Sequence, residues 1–361
     1  MPNALKAPKN PEFLVGTVAA MRLLSGERQP QNPIEREMLS QLRALQLKPE
    51  VAKRIVVAFD AKPDADRQRL LGRFADKSHA LEGVAPFAPP HVVVRDHRSG
   101  SSSGGTTSAE SSSRMGPASD VVGPMSEEAT IDGTLPGIRY TVRYKGLWCQ
   151  EETNGPGSDE IYIITSGISI NNDVNNVVGT LRHPMGTQDK YYGDVDSLDR
   201  RVGPVAVVYT GSPDTLSLAV VVMEHDEGDP DYYRDEVKTF VDGAIALATY
   251  LYKPAAVLAY FKDNIVDAIN WILGTGDDVI SSEVATWERD ALEDLAMQTP
   301  SEYQGTKREL VSTNPPILGP EVNVPTGLFV HFVTNHHGDG SKYVVGFDIE
   351  RDPPRPGPVI L

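Results

Sequence analysis

Ile138-Arg139-Tyr140-Thr141-Val142-Arg143-Tyr144-Lys145 places Ile138, Tyr140, Val142 and Tyr144 on one side of an extended chain and Arg139, Thr141, Arg143 and Lys145 on the other. Side chains of a strand alternate faces, so this octet predicts an antiparallel strand with one apolar, half-buried face. Runs of the same kind recur at Ile161 to Ile170, Val205 to Tyr209, Leu216 to Met223, Glu283 to Trp287, Leu328 to Thr334 and Tyr343 to Ile349. Short strands separated by Gly, Pro and Asn predict an antiparallel β-sandwich over 131–361. His336-His337-Gly338-Asp339-Gly340, between the last two runs, reads as a hairpin turn. One stretch breaks the two-residue period. Asp235 to Tyr252 carries Val237, Phe240, Val241, Ala244, Ile245 and Ala248 on one stripe, and Pro254 to Leu273 carries Val257, Leu258, Phe261, Ile265, Ile269 and Ile272 on another. Helical spacing of this kind predicts a helical hairpin inserted at about 231–275, with Pro254 in the first turn of its second helix.

Upstream the chain changes character twice. Residues 1–85 read as a small helical bundle: Phe13 to Leu24 is apolar-rich, and further helical stretches follow at Met38 to Leu47, Pro49 to Phe59 and Ala65 to Leu81. Asn32-Pro33-Ile34-Glu35 supplies an N-cap, a proline at the first helical position and a glutamate at the third. Residues 86–130 turn to Pro, Ser, Gly and Thr, including Ser99 to Thr107, a composition too poor in apolar groups to offset chain entropy and so expected to be a flexible tether. The expected fold is therefore α+β and multidomain, with a helical module, a linker and a β-sandwich bearing a helical insertion. Its 361 residues suit two or three domains.

A formal net charge of −16 argues against nucleic acid as a partner, because phosphate binding needs clustered Lys and Arg, and against unaided binding to anionic lipid. Cys149 is the single cysteine, which excludes an intramolecular disulfide and a multi-cysteine zinc site. No secretory signal and no run of about 20 apolar residues is present, so the default expectation is a soluble cytoplasmic protein, with export by a route lacking a Sec-type signal left open. No His-Glu-x-x-His, phosphate loop or Gly-x-Ser-x-Gly occurs, and the expectation is a protein without catalysis.

Two acidic segments stand at the ends of strand-like runs. Glu151-Glu152-Thr153-Asn154-Gly155-Pro156-Gly157-Ser158-Asp159-Glu160 precedes Ile161, and Glu224-His225-Asp226-Glu227-Gly228-Asp229 follows Met223. Carboxylates two apart after a strand point the same way, so Glu224 and Asp226 are placed to face one cation together. The plainer reading is a pair of solvated turns in an acidic chain.

On these residues the β-region resembles the calcium-dependent lipid-binding C2 domain. In that family the first binding loop runs from an acidic residue through small residues to Ser-Asp-Pro-Tyr and a strand, to which Gly157-Ser158-Asp159-Glu160-Ile161-Tyr162 after Glu151-Glu152 is similar. The family's third loop opens with an acidic residue, any residue and Asp, as in Glu224-His225-Asp226, and closes with Asp and an apolar pair, as in Asp278-Val279-Ile280. The resemblance implies calcium as cofactor, with Glu151, Glu152, Asp159, Glu224, Asp226 and Asp278 as ligands. Asp194 and Asp196, from a middle loop, and Asp229 and Asp277 are further candidate ligands. It places the helical hairpin in the third loop, the one that touches lipid in the family, which makes Ile245, Leu247, Tyr250, Leu251, Phe261 and Trp271 candidates for membrane or partner contact. The alternative is that this stripe packs on the sandwich, and Lys262, Asp263 and Asp267 weigh against deep insertion at about 2.5–3.5 kcal/mol per central charge. Calcium-dependent attachment to a membrane or protein partner is thus the leading expectation. A secreted effector or toxin with a membrane-active hairpin and a structural assembly protein are the alternatives.

Overall fold

The computed structural model of the protein describes residues 11–75 and 137–353, apart from 155–156, 173, 187–189, 227–228, 252–253, 274–277, 299, 303–328 and 339. The expected tether at 86–130 and Asp277 lie outside these residues. Helices α1 (Pro11–Ser25), α2 (Pro33–Ala44), α3 (Pro49–Asp60) and α4 (Asp64–Leu71) come first. The β-region follows with β1 (Arg139–Glu151), β2 (Asp159–Asn171), β3 (Val174–His183), β4 (Tyr192–Val195), β5 (Arg200–Gly211) and β6 (Thr215–Glu224). Helices α5 (Pro230–Leu251) and α6 (Pro254–Leu273) intervene before β7 (Asp278–Glu288), α7 (Arg289–Met297), β8 (Ser301–Glu302), β9 (Phe329–Val330), β10 (Phe332–Gly338) and β11 (Ser341–Asp352).

Apart from β8 and β9, which pair with each other, the strands form two antiparallel sheets packed face to face, one in the order β10-β11-β1-β5 and the other in the order β3-β2-β6-β7, with β4 also paired to β2. In β1 the predicted alternation holds. Tyr140, Val142 and Tyr144 enter the sandwich core with Ile161, Ile163, Leu218, Val220 and Phe347, while on the other face Arg143 pairs with Glu350 and Lys145 with Asp348 at 3.0 Å. The second sheet is different because both of its faces are covered. Tyr162, Ile164, Ala219, Val221 and Met223 point away from the sandwich into a core shared with Phe240, Val241, Ile265 and Ile269 of the helical hairpin. A strand buried on both sides has no polar face to expose, which is why Leu216 to Met223 is apolar with little interruption while β1 alternates.

The N-terminal helices complete that second core. Helix α1 is buried at every residue from Phe13 to Leu24 and packs against α2, α3 and α5. Helix α2 starts as predicted: Asn32 Oδ1 accepts from the Glu35 amide at 2.9 Å, and the Glu35 carboxylate accepts from the Gln31 amide at 2.7 Å and pairs with Arg28 at 2.6 Å. Helices α1 to α4 and the α5–α6 hairpin, read as parts of separate units in sequence, thus share one core on the outer face of the second sheet.

Some boundaries differ from expectation. Strands β3 and β4 are absent from the sequence reading because Val174-Asn175-Asn176 and Tyr192-Gly193 are turn-like in composition, and only pairing with β2 makes them extended. His336 and His337 lie within β10, opposite Tyr343 and Lys342, so the turn before β11 is shorter than the predicted pentapeptide.

Gly146 sits at a bulge where β1 shifts register against both β5 and β11. Its φ of +152° suits a residue without a Cβ, and a Cβ there would stand 2.1 Å from the Arg201 carbonyl oxygen. Gly146→Ala is expected to lower unfolding free energy by about 1–3 kcal/mol in urea titrations, since the neighbouring backbone must move.

His183 is fully buried, with its ring stacked on Tyr144 at 4.1 Å and Nε2 3.1 Å from Thr165 Oγ1. Burial, reinforced by the Arg182 charge, pulls its pKa down to about 3. An unfolded histidine titrates near 6.5, so the stability that neutral His183 contributes is complete above that pH and is lost as pH falls toward 3. Between pH 6.5 and 5, above most carboxylate titration, this group steepens the pH dependence by up to about 1.4 kcal/mol per pH unit. His183→Gln should flatten that slope in urea midpoints measured across the interval.

Candidate functional site

Strand register gathers the acidic positions. Asp159 at the start of β2 lies opposite Val195 of β4, Ile161 lies opposite Glu224 of β6, and Glu224 lies opposite Asp278 of β7. The β1–β2 loop, the turn after β4, the exit from β6 and the entry to β7 therefore meet at one end of the sandwich. Segments that are far apart in sequence form one acidic pole.

Asp159 is the inward-facing member, with only 2% of its surface exposed. Its Oδ2 accepts from the Thr153 amide at 2.9 Å and from the Tyr343 hydroxyl, and its Oδ1 accepts from the Thr153 hydroxyl at 2.6 Å. Thr153 Oγ1 also lies 3.4 Å from Glu224 Oε1, linking the two acidic segments. Burial above all, then the Asp159 carboxylate, holds the Tyr343 phenol far above the usual tyrosine range, so Tyr343 keeps its proton and donates. Cys149, the Cα partner of Tyr343 across the β1–β11 ladder, is a buried thiol. Its pKa is pushed up to about 12 by burial and by the Asp159, Glu152 and Asp199 charges, with the hydrogen bond to Tyr343 acting the other way. A thiol held this high carries little thiolate and is chemically quiet.

The other candidates divide by position. Glu151 is exposed and pairs with Lys342 at 2.5 Å. Glu152 is fixed through its backbone, whose amide donates to Ser197 Oγ at 3.1 Å. Asp194, in a left-handed conformation at φ 52°, accepts from Ser158 Oγ at 3.1 Å. The Asp196 amide donates to Asp199 at 3.3 Å, leaving the exposed Asp196 side chain directed by a tight turn. Asp226 is exposed, and its neighbour His225 ties the loop down by donating its amide to the Glu160 carbonyl at 2.7 Å and resting its ring on Tyr191 at 4.5 Å. Asp229 joins a different network: Lys190 holds it at 2.6 Å and Asp231 at 2.9 Å, and Arg182 holds Asp231 at 2.8 Å. The Lys190 hydrogen bond keeps the Asp229 carboxyl below the usual range. Asp278 opens β7, but its side chain lies outside the described residues, as does all of Asp277.

Carboxylates and loop carbonyls are hard oxygen donors and suit calcium rather than a soft metal. Asp159 is the exception, because both of its oxygens already accept hydrogen bonds from the protein. Among the described residues, no three His, Cys, Asp or Glu side chains are grouped closely enough to hold a metal ion.

Four of the six hairpin residues expected to contact a membrane or partner are turned inward. Ile245, Leu247, Phe261 and Trp271 are buried in the helical core, where the Phe59 ring of α3 lies 5.8 Å from Trp271. The side chains of Tyr250 and Leu251 fall outside the described residues. The apolar stripe is covered because α1 to α3 occupy the side that the sandwich leaves open. No helix among the described residues is long and apolar enough to cross a membrane.

Thr153 and Tyr343 went unrecognised in the sequence. A threonine in a polar loop has no distinguishing pattern, and Tyr343 is 184 positions from the carboxylate it serves. Its only local mark is its inward parity on β11.

No family model, curated protein or solved structure matches the chain.

Tyr343→Phe removes one donor to a buried carboxylate and is expected to cost about 1–3 kcal/mol of stability. Amide exchange at Thr153 should accelerate more than exchange in β6 if the hydroxyl anchors the first acidic loop through Asp159.

Proposed function

We propose that the chain is a non-catalytic, calcium-responsive binding module, C2-like in its β-region, which attaches to a membrane surface or a protein partner through the acidic end of its sandwich. The observation that carries this reading is the register that sets Glu224 beside Asp278 and within one strand of the Asp159 loop. Glu152, Glu224, Asp226 and Asp278 are the ligands in this reading, with Asp194 and Asp196 at the rim. Asp159 is their anchor, since it holds the loop that carries Glu152 in place. Crowded carboxylates repel one another, and a divalent cation among them removes that repulsion and adds positive charge where an acidic surface otherwise faces solvent. Attachment then follows at the neutralised pole, without any contribution from the covered hairpin stripe.

The test is the thermal midpoint of the full chain in calcium, in magnesium and in chelator. A ligand that binds only the folded state stabilises it by about 2.7 kcal/mol at a hundred times its dissociation constant. The reading expects a calcium-specific rise that Asp226→Asn combined with Asp278→Asn removes, accompanied by calcium-dependent sedimentation with liposomes or capture of a protein partner. A midpoint indifferent to calcium, or a rise that survives the double substitution, sinks the proposed ligand set.

A further inference from the structure

The exposed large hydrophobic side chains of the described residues stand singly along the chain except at one place. Leu198, Val202, Val205 and Val207 fall within ten positions and are exposed by 61%, 43%, 50% and 37%. Scattered apolar side chains are ordinary on a protein surface, whereas a contiguous set marks a site of contact.

Strand register puts the three valines on one face. Val207 lies opposite Arg143 and Val202 opposite Gly146, while Ala206, opposite Tyr144, turns into the sandwich between Val205 and Val207. Arg143 pairs with Glu350 on the outer side of the β10-β11-β1-β5 sheet, so the valines form an apolar ridge on that side. Among the described strands β5 ends its sheet, and no charged residue occurs from Val202 to Gly211. End strands are ordinarily guarded by charge or by proline. Pro204 is the guard here: it lacks a main-chain donor and so disfavours edge-to-edge pairing, but it leaves the valine side chains open to contact.

Leu198 heads the ridge in the turn between β4 and β5. Its φ of 76° is left-handed, a conformation that a leucine adopts only where its surroundings impose it. The turn is fixed from both sides. The Leu198 amide donates to the Cys149 carbonyl at 2.9 Å, the Cys149 amide donates to the Asp199 carbonyl at 2.9 Å, and the Asp199 amide donates to the Asp196 carbonyl at 3.0 Å. An exposed leucine on a backbone held this firmly has little freedom left to lose on contact, which is the property of an anchor residue.

Charge selects the occupant. The exposed Asp194 and Asp196 precede Leu198 in the same turn, whereas beside the valines the basic residues are matched, Arg143 by Glu350 and Lys145 by Asp348 at 3.0 Å. The head of the ridge is thus acidic and its length neutral. A second copy of the chain, at net charge −16, and an anionic lipid surface both bring like charge to that head, while a segment with Lys or Arg at one end brings the opposite charge. Residues two apart on an extended segment point the same way, so apolar side chains at alternate positions match the ridge.

We propose that the β5 ridge is a docking surface for an extended protein segment that bears apolar side chains at alternate positions and Lys or Arg at the end reaching Asp194 and Asp196. The ridge shares one end of the sandwich with the calcium reading and does not rest on it.

Fluorescence anisotropy of a labelled peptide tests this with the full chain in chelator. The probe alternates valine with threonine and carries lysines at one end, and its control has the same charge with serine in place of valine. The valine peptide should bind at least about tenfold more tightly than the control. Leu198→Ser combined with Val205→Ser and Val207→Ser should remove that difference, and Asp194→Asn combined with Asp196→Asn should weaken both peptides, by less as salt rises. Equal affinity for the two peptides, or a difference that survives the serine substitutions, overturns the proposal. A mass that doubles with concentration in the unmodified chain but not in the serine variant assigns the ridge to a second copy and overturns it as well. The serine substitutions touch no proposed calcium ligand, so the thermal midpoint in calcium reports on that reading separately.

Discussion

The double burial of the β3-β2-β6-β7 sheet is the constraint on which the remaining architecture depends. A sheet whose central strands read Ile161-Tyr162-Ile163-Ile164 and Leu218-Ala219-Val220-Val221-Val222-Met223 cannot leave either face in water without exposing a continuous apolar surface. One face is covered by the β10-β11-β1-β5 sheet, whose own outer side carries ion pairs such as Lys145 with Asp348 beside a small apolar cluster of Val330, Val333 and Val344. The other is covered by helices. Strands β6 and β7 are neighbours in the sheet although the α5–α6 hairpin separates them in sequence, so the hairpin leaves the sheet end, folds over the outer face and returns in register. Once α5 lies there, its far side is apolar as well, and α1 to α3 become part of the same core.

At the end of the sandwich, acidic residues of the same chemical type take different parts according to burial. Asp159 is buried with three donors on its oxygens, the arrangement that makes a buried carboxylate tolerable and that fixes a loop to the core. Glu151 and Asp229 are engaged by lysines at the periphery. Asp226 and Asp196 are exposed. The loop that carries Glu152 is therefore held from beneath by the core polar group Tyr343, while its outer surface stays acidic. A rigid support under a charged rim is the usual physical basis for a binding loop that keeps its shape before its ligand arrives.

The balance of charges also explains how an acidic protein holds its layers together. The described ion pairs concentrate at seams: Lys48 and Arg54 on α5, Arg182 and Lys190 at the start of α5, Lys145 on β11 and Lys342 on the first acidic loop. At these seams a basic residue of one element meets a carboxylate of its neighbour, whereas other pairs, such as Lys238 with Asp242, lie within a single helix.

Much of the local structure was legible in the sequence. The alternation from Ile138 to Lys145 disclosed an outer strand, the unbroken run before Glu224 disclosed a strand, Asn32-Pro33-Ile34-Glu35 disclosed a helix start, and the stripes at Val237 to Ala248 and Val257 to Ile272 disclosed two helices. Each of these is a periodicity or a cap, determined by which side chains share a face within one element. The convergence of Glu224 and Asp278, the inward turn of Asp159 toward Tyr343, the strand character of Val174-Asn175-Asn176 and the common core of α1 with α5 left no such local mark. Those features were decided by tertiary structure alone, because cross-strand register and helix docking depend on which surfaces bury one another across long stretches of chain, and a side chain's role as anchor or ligand depends on the groups that burial brings to it.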